Sequence, residues 1–449
     1  MGGWARGRWW YQLAHVCQRW RNLIFGSSSY LNIFLVCTYR TPVADMLAHS
    51  PPLPLVIDYP DEHRDITAED EEGTILALKQ NDRVYRIRLR VSVPKLQKLI
   101  LAIDEEYPIL EYLIIEPAFE DNTVMMFPET LQAPHLRQLA LINFALPIRS
   151  RLLTTAVGLV TLCLTMEPPS TYIHPNTLLQ WLSFMPQLET LVIFFMFPVP
   201  NRDVVRQLTH TPIITPVTLP NLHWFKFRGV NTYLEAVVRR ITAPRLEKLH
   251  IDFFSQLAFS VPRLQQFMNT TENLRFESAT IEFSRRVHVN VYSPGTNLRT
   301  RLGTRTLSIN VDCRHLDWQV ASTAQISSSL NQMSSAVKHL TLEHEVHHLS
   351  SEEHNEVDHT EWRKILSSFS NVETLRIDYG LVEELSRFLE SDDASGELLP
   401  ELQELIYSGS SETGDAFASF INARQNVGRP VTPIYRRTRP LKRYLQPRF

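Results

Sequence analysis

The residues best spaced for catalysis are His344 and His348, which with Glu345 spell H-E-x-x-H. On a helix this spacing puts two imidazoles on one face to hold zinc, with the glutamate as general base. Here the motif starts at the end of a strand-like run, Leu340-Thr-Leu342, and the residues after it, 349–353, are mostly polar. The expected reading is a solvated loop, with no catalytic residue, no metal site and no cofactor. His354 and His359 add donors for adventitious zinc at most. No G-x-S-x-G elbow, phosphate-cradling glycine loop or G-x-G-x-x-G is present.

A second set of residues suits recognition rather than turnover. Thr190/Val192/Phe194, Trp224/Lys226/Arg228 and Lys248/His250/Asp252 alternate with apolar residues in three successive strand-like phrases. Neighbouring strands lie about 4.8 Å apart. Phe194 and Trp224 are therefore expected beside Lys226, Arg228, Lys248 and His250 as one patch. The aromatics would anchor a partner by burial and the cations would select an acidic or phosphorylated segment. The competing reading is an ordinary solvated sheet face with incidental cation–π contacts.

What must position these side chains is a repeat. Ala133-Pro-His-Leu136-Arg-Gln-Leu139-Ala-Leu141 follows an L-x-x-L-x-L rule, a turn running into a strand whose Leu139 and Leu141 share one face. The rule recurs at Leu96/Leu99/Leu101, Leu110/Leu113/Ile115, Leu159/Leu162/Leu164, Leu188/Leu191/Ile193, Leu222/Phe225/Phe227 and Leu246/Leu249/Ile251. It continues at Thr304/Leu307/Ile309, Val337/Leu340/Leu342, Val372/Leu375/Ile377 and Leu402/Leu405/Tyr407. Helix patterns fill the longer intervals: 174–185 carries Leu178, Leu179, Leu182 and Met185, and 361–369 carries Trp362, Ile365, Leu366 and Phe369. Strand, turn, helix, turn is the unit, since parallel strands need a crossover. The expected fold is an α/β solenoid, a curved parallel sheet on the concave side and helices on the convex side, each unit burying its core against its neighbours.

Composition narrows the class. The 449 residues are 44% hydrophobic and 21% charged with net charge −3, which offers no global field for nucleic acid or an anionic membrane. The longest apolar runs, such as 191–197, fall far short of the roughly 18 residues of a membrane span. Four cysteines without a C-x-x-C pair suit free thiols in a reducing compartment, so a cytoplasmic or nuclear protein is expected.

Toward the N-terminus, 13–25 reads as an amphipathic helix of Leu13, Val16, Cys17, Trp20 and Ile24, packing on the first repeat. Thr67 with Asp70 makes a capping box, ahead of a stripe of Ile75, Leu76 and Leu78. Residues 271–290 fit the repeat worst; a strand is expected near 279–283. A last helix over 415–425 is expected to cover the open end, and the basic, proline-bearing stretch 426–449 to be a disordered tail.

The strand phrase resembles leucine-rich repeats, although the position five past the second Leu, usually Asn or Cys, holds Asp104, Ala118, Phe144 and Met196. Such irregular arrays occur in F-box proteins. The run Leu13-Ala-His-Val16-Cys17-Gln-Arg-Trp20-Arg21 is similar to the last F-box helix, with its Val-Cys-x-x-Trp-Arg core. The layout resembles the F-box/leucine-rich-repeat proteins numerous in mushroom-forming fungi, with a truncated F-box over 1–28, because the Leu-Pro-x-Glu opening is absent. The resemblance implies that Leu13, Val16, Cys17, Trp20 and Arg21 face a Skp-type adaptor of a cullin-RING ubiquitin ligase, while the repeats over 29–425 select an unknown substrate protein. The alternative is a stand-alone repeat scaffold.

Overall fold

The computed structural model describes residues 16–26, 33–61, 64–103, 105–118, 123–167, 171–198, 216–254, 259–294, 305–313, 315–344, 358–390, 398–409 and 415–437. The chain folds as two compact units, Met1–Trp224 with Arg240–Ala243, and Phe225–Arg239 with Pro244–Phe449.

The repeat phrase builds the strands through a turn. In Ala133-Pro134-His135-Leu136 the Leu136 amide donates to the Ala133 carbonyl at 3.1 Å, and Leu188, Leu222 and Leu402 do the same to Met185, Leu219 and Leu399. Proline is the second residue of all four turns, where its fixed φ is already right. The turn drives the first leucine inward, and the next two apolar residues follow on alternate strand positions. Leu136, Leu139 and Leu141 are at most 2% exposed, and the triplets at Leu110, Leu159, Leu188, Leu222, Leu246, Val337, Val372 and Leu402 are buried likewise.

In the first unit β1 (Leu35–Cys37), β2 (Leu55–Tyr59), β3 (Val84–Val91), β4 (Tyr112–Pro117), β5 (Gln138–Ile142), β6 (Thr161–Met166) and β7 (Thr190–Phe195) lie in chain order. Every pairing among them is parallel. Adjacent repeats are stitched at the strand starts. The Arg137 carbonyl accepts from both Val160 and Thr161, and the Val160 carbonyl from both Glu189 and Thr190. Helices such as Pro175–Leu182, which buries Leu178, Leu179 and Leu182, supply the crossovers.

In the second unit β8 (Trp224–Gly229, whose first residue belongs to the first unit), β9 (Lys248–Phe253), β10 (Ser278–Phe283), β11 (Val287–Tyr292), β12 (Arg305–Val311), β13 (His339–His344), β14 (Thr374–Ile377), β15 (Glu404–Gly409) and β16 (Thr432–Arg437) run in the order β8-β9-β12-β11-β10-β13-β14-β15-β16. The expected all-parallel sheet is broken here, since β11 is antiparallel to both β10 and β12. Only Ser284-Arg285-Arg286 join β10 to β11, enough for a hairpin and far too little for a crossover.

Three further expectations fail for identifiable reasons. Leu96/Leu99/Leu101 is not a strand. It lies in the helix Val93–Ala102, where Leu96 and Leu99 are buried and Leu101 is 80% exposed. Leucines three apart share a face in a helix too, and Pro94 fits the first helical turn as well as it fits a β-turn. The capping box of Thr67 and Asp70 is present, but the buried face of its helix is Gly73, Thr74, Ala77 and Leu78, with Leu76 41% exposed. Residues 426–437 are no disordered tail. After the helix Ala418–Asn426 the chain adds β16, parallel to β15 with Leu405 opposite Pro433. Pro433 lacks an amide to donate and is tolerated because β16 is the edge strand of this order.

Candidate functional site

On β8 the inward Phe225 and Phe227 leave Lys226 and Arg228 on the opposite face, and on β9 the inward Leu249 and Ile251 leave Lys248, His250 and Asp252 there. The β9–β12 register sets His250 beside Ser308 and Asp252 beside Asn310, and the β12–β11 register sets Ser308 beside Asn290 and Asn310 beside His288. Hydrogen bonds run along these rows. His250 Nε2 lies 3.1 Å from Asp252 Oδ2, and Asn310 Nδ2 donates to Asp252 Oδ1. His288 Nδ1 lies 2.6 Å from Asn310 Oδ1, and Ser308 Oγ donates to Asn290 Oδ1 at 2.9 Å.

Burial works against ionisation of Asp252, but hydrogen bonds from His250 and Asn310, together with the positive field of His250 and Lys226, outweigh it and lower its pKa. Its ionised form is favoured in the fold, so the stability it contributes is complete above the ordinary aspartate pKa of about 3.9 and disappears as pH falls through the lower folded value. The stability gap between wild type and Asp252→Asn, measured by urea unfolding, should therefore be open at pH 7 and narrower at pH 3.

Arg228 is engaged within the unit. Its Nη2 lies 3.7 Å from Asp312 Oδ2, its guanidinium sits 5.1 Å from the centre of the Phe254 ring, and Arg286 Nε approaches the same aspartate at 3.3 Å. The cations expected at this face are thus interleaved with Asp252 and Asp312. Lys248 is exposed, while Lys226 and His250 are half-buried. Sequence reasoning missed Asn310, Ser308, His288, Asn290 and Asp312. The alternation of polar residues in 287–291 and 306–310 was the available signal.

Phe194 and Trp224 do not form the expected pair. The Trp224 amide donates to the Glu189 carbonyl, so Trp224 lies level with the start of β7, whereas Phe194 is four residues further along that strand. At roughly 3.3 Å per residue this separates them by about 13 Å.

The outward face of the first unit has another chemistry. One row in register reads Asp58, Arg88, Ile114, Ala140, Cys163, Val192. Arg86 with Tyr112 precedes it, Arg90 with Glu116 follows it, and Ile142, Thr165 and Phe194 extend the latter side. All but Asp58 are half-buried. Arg90 Nη2 pairs with Glu116 Oε1 at 3.2 Å, and Arg86 sits over the Tyr112 ring at 5.7 Å.

Of the N-terminal residues, Leu13 lies outside the described residues. The helix is Gln18–Gly26, with Cys17 ahead of it accepting the Trp20 amide on Sγ at 3.5 Å. Val16, Trp20 and Leu23 are 63%, 47% and 60% exposed, and Arg21 is exposed; Ile24 is buried. The expected packing of Val16 and Trp20 on the first repeat is thus not found, whereas Ile24 is buried. His344 ends β13, and Glu345 to His348 lie outside the described residues. A strand residue cannot share a helical face with a partner four positions on. Among the described residues no helix is long and apolar enough to cross a membrane.

No protein-family model matches the chain, and no curated protein does. A solved structure of the leucine-rich repeat-containing protein LegL7 from Legionella pneumophila is similar over 88% of this chain and 98% of its own, with 10% sequence identity and a TM-score of 0.26.

Proposed function

We propose that this chain is a protein-recognition module whose outward strand faces bind a partner polypeptide and which performs no chemistry of its own. The observation that carries this reading is the set of buried and half-buried side chains held in register on the outward face, from Arg88 through Val192 in the first unit and across the His250–Asp252–Asn310–His288 network in the second. Such side chains are ordered before binding, so little conformational entropy remains to be lost on association.

The finer reading is that the partner is a substrate delivered for ubiquitination. The exposed Trp20 and Leu23, three residues apart on one helix, would form part of the surface that docks a Skp-type adaptor, with Val16, Cys17 and Arg21 beside them. Exposed large apolar residues grouped on one face are what a docking surface presents. Co-purification with a co-expressed adaptor tests the link. The chain should retain the adaptor, and Trp20→Ala should remove that binding. Failure of the adaptor to co-purify would leave a stand-alone recognition scaffold, and tight retention that survives Trp20→Ala would refute the reading of this helix as the docking surface.

A further inference from the structure

The first unit carries an unsatisfied group at the end of its apolar row. Asp58 is 6% exposed, yet its Oδ1 has no hydrogen-bond partner. Its neighbour in register on β3 is Arg88, and Arg86 lies one pleat before. Burial raises the Asp58 pKa, and the fields of Arg86 and Arg88 oppose that rise. An orphaned buried acceptor costs free energy until a donor reaches it.

Beyond Arg88 the row becomes apolar. Ile114, Ala140, Cys163 and Val192 follow on β4 to β7, with Ile142 and Phe194 alongside. Four strand spacings separate Arg88 from Val192, about 19 Å, which an extended chain crosses in roughly six residues. Within these rows charge is confined to the β2–β4 end, where Arg86, Arg88 and Arg90 outnumber Asp58 and Glu116. Glu116 is already matched to Arg90.

From these observations we infer that the first unit binds an extended polypeptide segment laid across β3 to β7, with an acidic or phosphorylated residue at the Arg88 end and apolar side chains toward Val192 and Phe194. The guanidiniums of Arg88 and Arg86 hold the anionic group by charge-assisted hydrogen bonds. The Asp58 carboxylate is buried, so it is the half-buried guanidiniums that the segment meets. This inference rests on the recognition reading above and gives it a partner chemistry and a place.

The test is an array of ten-residue peptides with Asp, Glu, phosphoserine, Ser or Lys at one position and Leu, Ile or Ser at the positions after it. It is probed with full-length wild type, Arg88→Glu, Val192→Asp and Lys248→Glu, each shown folded by its melting curve. Wild type should select acidic or phosphorylated peptides with apolar followers. Arg88→Glu and Val192→Asp should each weaken them about tenfold or more, Lys248→Glu should not, and Arg88→Glu should shift preference toward Lys. If Arg88→Glu fails to fold, protection of Cys163 from maleimide by the selected peptide on wild type replaces it, Cys163 being central in the row. Selected peptides insensitive to both first-unit substitutions, or a Cys163 left unprotected, would overturn the inference. Loss with Lys248→Glu alone would do so too, while keeping the recognition reading with its site in the second unit. Self-association of wild type abolished by Arg88→Glu would make a second copy the occupant and also overturn it. An array without any bound peptide would remove both readings.

Discussion

Leu139→Ala should lower the unfolding free energy by about 2–5 kcal/mol, while Gln138→Ala, one residue away, should change it by no more than about 0.5 kcal/mol. Leu139 is fully buried on β5, with Leu113 and Leu162 beside it on the parallel neighbours. Truncation leaves a cavity whose walls belong to three repeats at once, so no single turn can relax to fill it. Gln138 points to the opposite face and is half-buried, with Tyr112 and Thr161 beside it. Urea unfolding of the two variants reads the difference. Equal losses would mean that the strand faces are assigned the wrong way round.

Arg424→Ala should be strongly destabilising, at about 1–3 kcal/mol for each buried carbonyl left without a donor. Arg424 is 1% exposed on the last helix, Ala418–Asn426. Its Nη1 donates to the Leu398 carbonyl at 3.3 Å, and its Nη2 to the Pro400 and Leu402 carbonyls at 3.5 and 3.3 Å. These acceptors lie in and just before the Leu399-Pro400-Glu401-Leu402 turn that feeds β15, so the guanidinium fastens the helix to the entry of the preceding strand. Burial, with Arg429 nearby, lowers its pKa, but an arginine starts so high that it stays charged at any ordinary pH. Removing it orphans three carbonyls at once. Arg424→Lys should recover only part of the loss, since a single ammonium cannot reproduce the planar fork. Arg83 uses the same device near the other end of the chain, donating to the Pro51 and Leu53 carbonyls. A melting temperature unchanged by Arg424→Ala would show that water satisfies the turn and that the arginine is dispensable.

The sequence by itself determined the inward set. Where a turn leads into apolar residues two apart, a strand that buries that face is the favoured solution, and the described triplets from Leu110 to Leu402 take it. The helices carrying Trp362, Ile365 and Leu366, or Leu178, Leu179 and Leu182, were legible from the same kind of spacing. Tertiary structure decided what local pattern leaves degenerate. Val93-Pro94-Lys95-Leu96 has the letters of a strand entry, yet β3 already filled that place in the sheet and the phrase became the following helix. Thr432–Arg437 has the composition of a solvated tail, but the open edge of β15 offered its amides and carbonyls a partner. The candidate sites divide the same way. Alternation showed which residues of β7, β8 and β9 point outward. Only register could show that Trp224 and Phe194 sit at opposite ends of their strands, that Asp312 engages Arg228, and that Asp58 meets Arg88 at the head of an apolar row. Those partners are separated by tens of residues, and they become neighbours only because hydrogen bonding between parallel strands fixes which residue stands beside which.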